Sequence, residues 1–115
     1  MAVILGLEYN ELKKVCEKAE SETGAVCDIA NDNCPGQIVI SGANSAIERA
    51  MELAKESGAR RAMKLALSVP PHSRLMAPVV NIMKNALDEI EIKTPLVPII
   101  SNKKLPINEE NVQRE

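Results

Sequence analysis

At 115 residues the chain is long enough for one domain with a real core and too short for two comfortable ones. Its composition, 45% hydrophobic and 26% charged, is that of an ordinary globular protein. A formal net charge of −2, with both signs interspersed and Tyr9 the sole aromatic ring, argues against a nucleic-acid binder, which needs a basic face or stacking rings.

Residues 2–7 form a short apolar run and read as a buried strand. Over residues 8–22 the apolar positions Leu12, Val15, Cys16 and Ala19 follow helical spacing, with Lys and Glu on the opposite side. Gly24 is the expected stop. Residues 25–30 read as a second strand and residues 38–41 as a third, joined as a hairpin. Between them Pro35 and Gly36 suit the two central positions of a type II turn. Ser45 and Glu48 have capping-box spacing, and the helix behind them carries Ile47, Ala50, Met51 and Ala54 on one face up to Gly58.

Residues 61–69 alternate, with Met63, Leu65, Leu67 and Val69 on one side, as a half-buried strand does. The order to this point is strand, helix, strand, strand, helix, strand, the ferredoxin-like βαββαβ arrangement of an α+β protein. Met76, Val79, Val80, Met83, Leu87 and Ile90 are helical again, with Pro78 tolerable only in the first turn. Residues 94–101 are apolar but interrupted by Pro95 and Pro98, which suits an edge or isolated strand. Residues 102–115 are polar.

With so few rings the core must be built from aliphatic residues and methionine, which pack less specifically, so modest stability is expected. Met51, Met63, Met76 and Met83 sit at core spacings. Cys16, Cys27 and Cys34 form no C-x-x-C pair, which suggests reduced thiols in a cytoplasmic protein, most simply small core residues. With one histidine a metal site is not expected. No apolar run reaches membrane-spanning length, and the first six residues lack the features of a signal peptide.

The lone histidine, His72, follows Pro70 and Pro71, which cannot donate to a sheet ladder. The expected arrangement is an imidazole presented where the strand of residues 61–69 ends, with Ser73 capping the helix that follows. A histidine so placed suits a general base, because its ordinary pKa lies near neutrality and a helix N-terminus disfavours the charged ring. The plainer reading is a surface-loop histidine with no role.

Several segments in this order resemble the middle of the malonyl-CoA:acyl carrier protein transacylases of bacterial fatty-acid biosynthesis. They are Met1-Ala2-Val3-Ile4-Leu5-Gly6-Leu7, Asn31-x-Asn33-x-Pro35-Gly36-Gln37-Ile38-Val39-Ile40-Ser41-Gly42, and Gly58-Ala59-Arg60-Arg61-Ala62. They continue with Val69-Pro70-Pro71-His72-Ser73-Arg74-Leu75-Met76 and Pro95-Leu96-Val97-Pro98-Ile99-Ile100-Ser101-Asn102. The resemblance implies a ferredoxin-like small subdomain over residues 1–69. Residues 70–115 would then be a helix and strand belonging to an α/β-hydrolase-like large subdomain. It implies an acyltransferase that moves malonyl from coenzyme A to the pantetheine thiol of acyl carrier protein through a serine ester. His72 matches the family's general base, malonyl-CoA is substrate, and no cofactor is expected. The implied partners are acyl carrier protein, the coenzyme A thioester and the remainder of the large subdomain, with neither nucleic acid nor membrane.

The family's nucleophile lies on a G-x-S-x-G elbow upstream of the matched region, and that motif is absent here. Its substrate-carboxylate arginine also lies upstream, and an active-site glutamine lies downstream of Glu115. The chain is thus expected to be a fragment that carries the base alone and is inactive by itself, since a His–Ser pair works as a unit. Asn33 and Gln37, with Asn31, are implied to face the cleft and offer amide hydrogen bonds to pantetheine; the alternative is turn chemistry. Arg60, Arg61, Lys64 and above all Arg74 could meet an acidic carrier or coenzyme A phosphates, or else be solvated cations. The rival to the transacylase reading is a stand-alone ferredoxin-like binding or regulatory module without catalysis.

Overall fold

The structure, a computed structural model, describes residues 1–99. Two compact units divide the chain, Met1–Ile82 and Met83–Glu115. In the first, the elements are β1 (Ala2–Leu5), α1 (Tyr9–Thr23), β2 (Cys27–Cys34), β3 (Gln37–Gly42), α2 (Asn44–Glu56) and β4 (Arg61–Lys64). They form an α+β layer pair: a four-stranded sheet of order β2-β3-β1-β4, antiparallel at every pairing, with two helices against it.

Helix α1 begins because Glu8 and Glu11 close a reciprocal capping box, and it stops at Gly24, whose left-handed backbone (φ 68) ends the turn. Its buried residues are Leu12, Val15, Cys16 and Ala19, the stripe read from the sequence. They meet Ala46, Ile47, Ala50, Leu53 and Ala54 of α2 and the inward residues Ala2, Ile4, Ile38 and Ile40 of the sheet. Burying each large aliphatic side chain here contributes about 1.5–3 kcal/mol. The β2–β3 hairpin turns on Pro35 and Gly36, with Gly36 at φ 73 as the turn requires. The Gly6 amide then donates to the Gly36 carbonyl at 2.8 Å and ties the turn to the end of β1.

Several expectations need correction. Strand β2 runs on to Cys34 through two irregularities, between Ile29 and Asn31 and between Asp32 and Cys34, so the expected loop at residues 31–34 is ladder. The capping box at Ser45 does not form: the N-cap of α2 is Ala43, without a side-chain cap, and Glu48 instead bonds Lys64 at 2.8 Å. Strand β4 stops at Lys64 because its partner β1 is exhausted there; the Leu65 amide makes the last bond, to Met1 at 2.9 Å. Leu67 and Val69, expected in that strand, are half exposed.

After β4 an irregular segment leads to a 3-10 turn at Arg74–Met76 and to helix α3 (Ala77–Asp88), with Pro78 in its first turn as required. None of α3 is buried. Of the methionines at core spacings, Met51 is half-buried and packs against the core, Met63 and Met76 are partly exposed, and Met83 is exposed. Of the strand expected at residues 94–101, the described part, up to Ile99, shows only an isolated bridge at Ile99. Residues 100–101 and the polar stretch 102–115 lie outside the described residues.

Candidate functional site

Pro70 and Pro71 bring the chain to His72, which takes a left-handed backbone (φ 58) and is the only non-glycine residue described that does so. That conformation is uncommon outside glycine, though histidine tolerates it better than most. The Ser73 hydroxyl donates to the Pro70 carbonyl at 2.7 Å and closes the bend. Ser73 therefore braces the loop, where the sequence suggested a helix cap: it is the N-cap of the 3-10 turn but makes no side-chain cap bond. His72 lies well past the end of β4, on this braced loop and not at a strand terminus.

The imidazole is exposed and, among the described residues, makes no hydrogen bond that would fix its tautomer. It borders an open cleft of about 450 Å³ with Tyr9, Lys13 and Glu17 of α1, Asp28 and Ile29 of β2, and Arg74. Cys16 and Cys27, both buried, sit beneath. A hydrogen bond shared with Cys27, and then burial, push the Cys16 thiol far above its ordinary range, so it stays protonated.

Arg74 is held from three sides. Its backbone N–H donates to Asp28 Oδ2 at 2.8 Å, and its Nε and Nη2 reach Asp28 Oδ1, each at 2.8 Å. Nη2 also pairs with Glu20 Oε1, the same oxygen that takes the Cys27 amide at 2.8 Å. Burial alone would raise the Asp28 carboxyl, but the bonds from the Arg74 guanidinium and amide outweigh it and hold that carboxyl below its ordinary range. The Arg74 guanidinium, bonded to Asp28 above all, is pushed up in turn.

The structure thus brings His72 and Arg74 into one cleft. It does not bring Asn33 and Gln37 there. Both are exposed near the tip of the hairpin, Asn33 opposite no ladder partner and Gln37 accepting a long contact from the Cys34 thiol at 3.9 Å. Cys34 is also exposed, against the expectation of a core thiol. Lys64 lies on a solvated face, where it pairs with the likewise exposed Glu48. Asp28 and Glu20 were missed by sequence reasoning. No local pattern marks them, because the group they hold is 46 and 54 positions away. Among the described residues no cluster of three or more His, Cys, Asp or Glu could hold a metal ion. No described helix is long and apolar enough to cross a membrane.

The chain as a whole, its four-stranded antiparallel sheet and two helices included, is similar in sequence and fold to acyltransferases. Over most of its length the chain is homologous to malonyl CoA-acyl carrier protein transacylases. That of Bacillus subtilis is 51% identical over 102 residues, which cover 89% of this chain and 32% of the relative. The solved transacylase of Coxiella burnetii superposes with a TM-score of 0.81 at 38% identity, over 96% of this chain and 35% of its own. A malonyl-transacylase solved in complex with its type II PKS acyl-carrier protein gives a TM-score of 0.81 at 36% identity, over 93% and 34%. The chain therefore spans about a third of the length of the curated relatives it matches. No family model matches it.

Proposed function

We propose that this chain is the part of a malonyl-CoA:acyl carrier protein transacylase that supplies the general base, His72. Residues 1–69 are its ferredoxin-like small subdomain. Residues 70–115 are a segment of the α/β-hydrolase-like large subdomain, and the cytoplasm is its compartment. The observation that carries the reading is an exposed imidazole on a braced loop at the mouth of a polar cleft, within a stretch half identical to such an enzyme. Helix α3, apolar along Val79, Val80, Met83 and Leu87 yet burying nothing, is what a layer of a larger subdomain looks like without its neighbours.

In this reading a serine from another stretch of polypeptide lies against the His72 ring. As the serine oxygen attacks the malonyl thioester carbonyl, the ring takes its proton, and the C–S bond to coenzyme A breaks. The imidazolium then gives that proton to the departing thiolate. In the second half the ring takes the proton of the carrier's pantetheine thiol as its sulfur attacks the ester. It returns that proton to the serine oxygen as the ester bond breaks. Malonyl-CoA is substrate in this scheme, no cofactor enters it, and acyl carrier protein is the acceptor. Asn33 and Gln37 would contact pantetheine from the hairpin, and Arg74 would lie beside the incoming thioester.

The test mixes this chain with a separately produced large subdomain that carries the serine elbow. Transfer of malonyl to the carrier appears in the mixture, is absent from this chain alone, and disappears with His72→Ala. Transfer that survives His72→Ala sinks the assignment of the base, and transfer by the chain alone sinks the division of labour.

A further inference from the structure

We propose that Asp28 is a positioning residue for His72, acting through Arg74. The catalytic half of this inference rests on the reading of His72 as the base; the mechanical half does not.

The loop that carries the imidazole leaves the sheet at Lys64 and is not laddered to it again. Its internal brace, Ser73 on Pro70, sets the shape of the bend but not where the bend sits. What ties it to the sheet is the residue two positions past the histidine. Asp28 gives both carboxylate oxygens to Arg74, one to the main-chain amide and one to the guanidinium, so side chain and backbone are gripped together. Gripping the amide fixes the peptide plane next to Ser73, and the left-handed turn at His72 leaves few ways to absorb a shift there. Glu20 adds a second arm from α1 and is itself held by the Cys27 amide, so the anchor is seated on two elements of the packed core.

A solvated ion pair in this place would do nothing for geometry, and charge alone contributes little at an exposed site. The difference here is the main-chain bond. A base must stay within hydrogen-bond reach of its nucleophile, and a displacement of about 1 Å can cost on the order of a hundredfold in rate. The same contacts mean that Arg74 has little freedom to swing toward a phosphate while Asp28 is charged.

The chain has one histidine, so its ring resonances are assigned without ambiguity. In Asp28→Ala, hydrogen exchange at the position 74 amide accelerates about ten- to a hundredfold, as loss of a bond to a charged acceptor predicts. The His72 ring signals shift, while Ile4 and Ile40 amides keep their protection. Arg74→Lys keeps the amide bond and its protection. Glu48→Ala, which breaks the unrelated pair with Lys64, leaves His72 unmoved. In the two-part transfer assay Asp28→Ala lowers kcat about tenfold with KM within twofold. Unchanged exchange at position 74 and unchanged ring signals in folded Asp28→Ala overturn the proposal, and Asp28→Asn is read by the same criteria should the alanine variant not fold. Altered exchange with an unchanged kcat overturns the catalytic half alone. Failure of the wild-type mixture to transfer malonyl counts against the proposed function and leaves the exchange result standing.

Discussion

Gly42 lies so close to Val26 that a Cβ built on it would stand 1.9 Å from the Val26 carbonyl oxygen. The same carbonyl accepts the Ala43 amide at 2.9 Å, so β3 leaves the sheet and α2 begins only because the two backbones can touch. Gly42→Ala must break that bond or part the strands. It should cost on the order of 3 kcal/mol, the upper range for overpacking. Urea denaturation of the variant against wild type measures it, and a midpoint unmoved from wild type would show that the contact yields freely.

Helices α1 and α2 are joined both by buried aliphatic packing and by Arg49, which bonds Glu22 across the gap and Glu52 along its own helix. The packing should dominate. Ile47, fully buried, should lose about 2–5 kcal/mol on truncation to alanine. Arg49→Ala removes a solvent-facing pair, and its small effect should vanish in high salt. Thermal melts of the two variants at low and high ionic strength separate these contributions.

The Asp28–Arg74 contact has a definite pH signature. Because the folded carboxyl titrates below its unfolded value of about 3.9, its contribution to stability is complete above that value. It is lost as pH falls through the lower, folded value. Carbon-detected titration of the Asp28 carboxyl should therefore give a midpoint below the ordinary range. In Arg74→Ala the guanidinium is gone while the main-chain amide at that position can still donate to the carboxylate, so the midpoint should rise toward the ordinary range. A midpoint indifferent to Arg74 would mean that the two groups do not meet in solution.

The three thiols should separate by access. Cys34 is exposed, whereas Cys16 and Cys27 are buried and Cys16 is held protonated. Titration with a thiol reagent should show one fast group and two that react only on unfolding. Mass mapping should place the fast adduct on Cys34.

Local chemistry was legible in the sequence and distant partners were not. The α1 stripe and its glycine stop, the Pro35–Gly36 turn and Pro78 in a first turn depend on neighbours within a few positions, and each was read correctly. The length of β4 depends on where β1 runs out, which alternation at residues 61–69 cannot express. Glu48 looked like half of a capping box because spacing does not reveal that Lys64 is the nearer partner. Met83 keeps helical spacing without burial, whereas Met51 on α2 packs on the core, since a period identifies a face and not what covers it. For the site, the resemblance pointed to His72, Asn33 and Gln37, and nearness to His72 singled out Arg74. The cleft borders His72 and Arg74 but neither Asn33 nor Gln37, while Asp28 and Glu20 enter only once the chain has folded back on itself.

The left-handed backbone at position 72 bears on how an inactive form should be made. Alanine there would delete the imidazole and keep the Cβ whose left-handed placement, a cost of about 1–2 kcal/mol, the histidine already bears. Glycine would delete the ring and relieve that cost, but with a main chain freer to leave the bend. Supplying free imidazole from solution to both variants therefore separates the missing proton carrier from a loosened main chain.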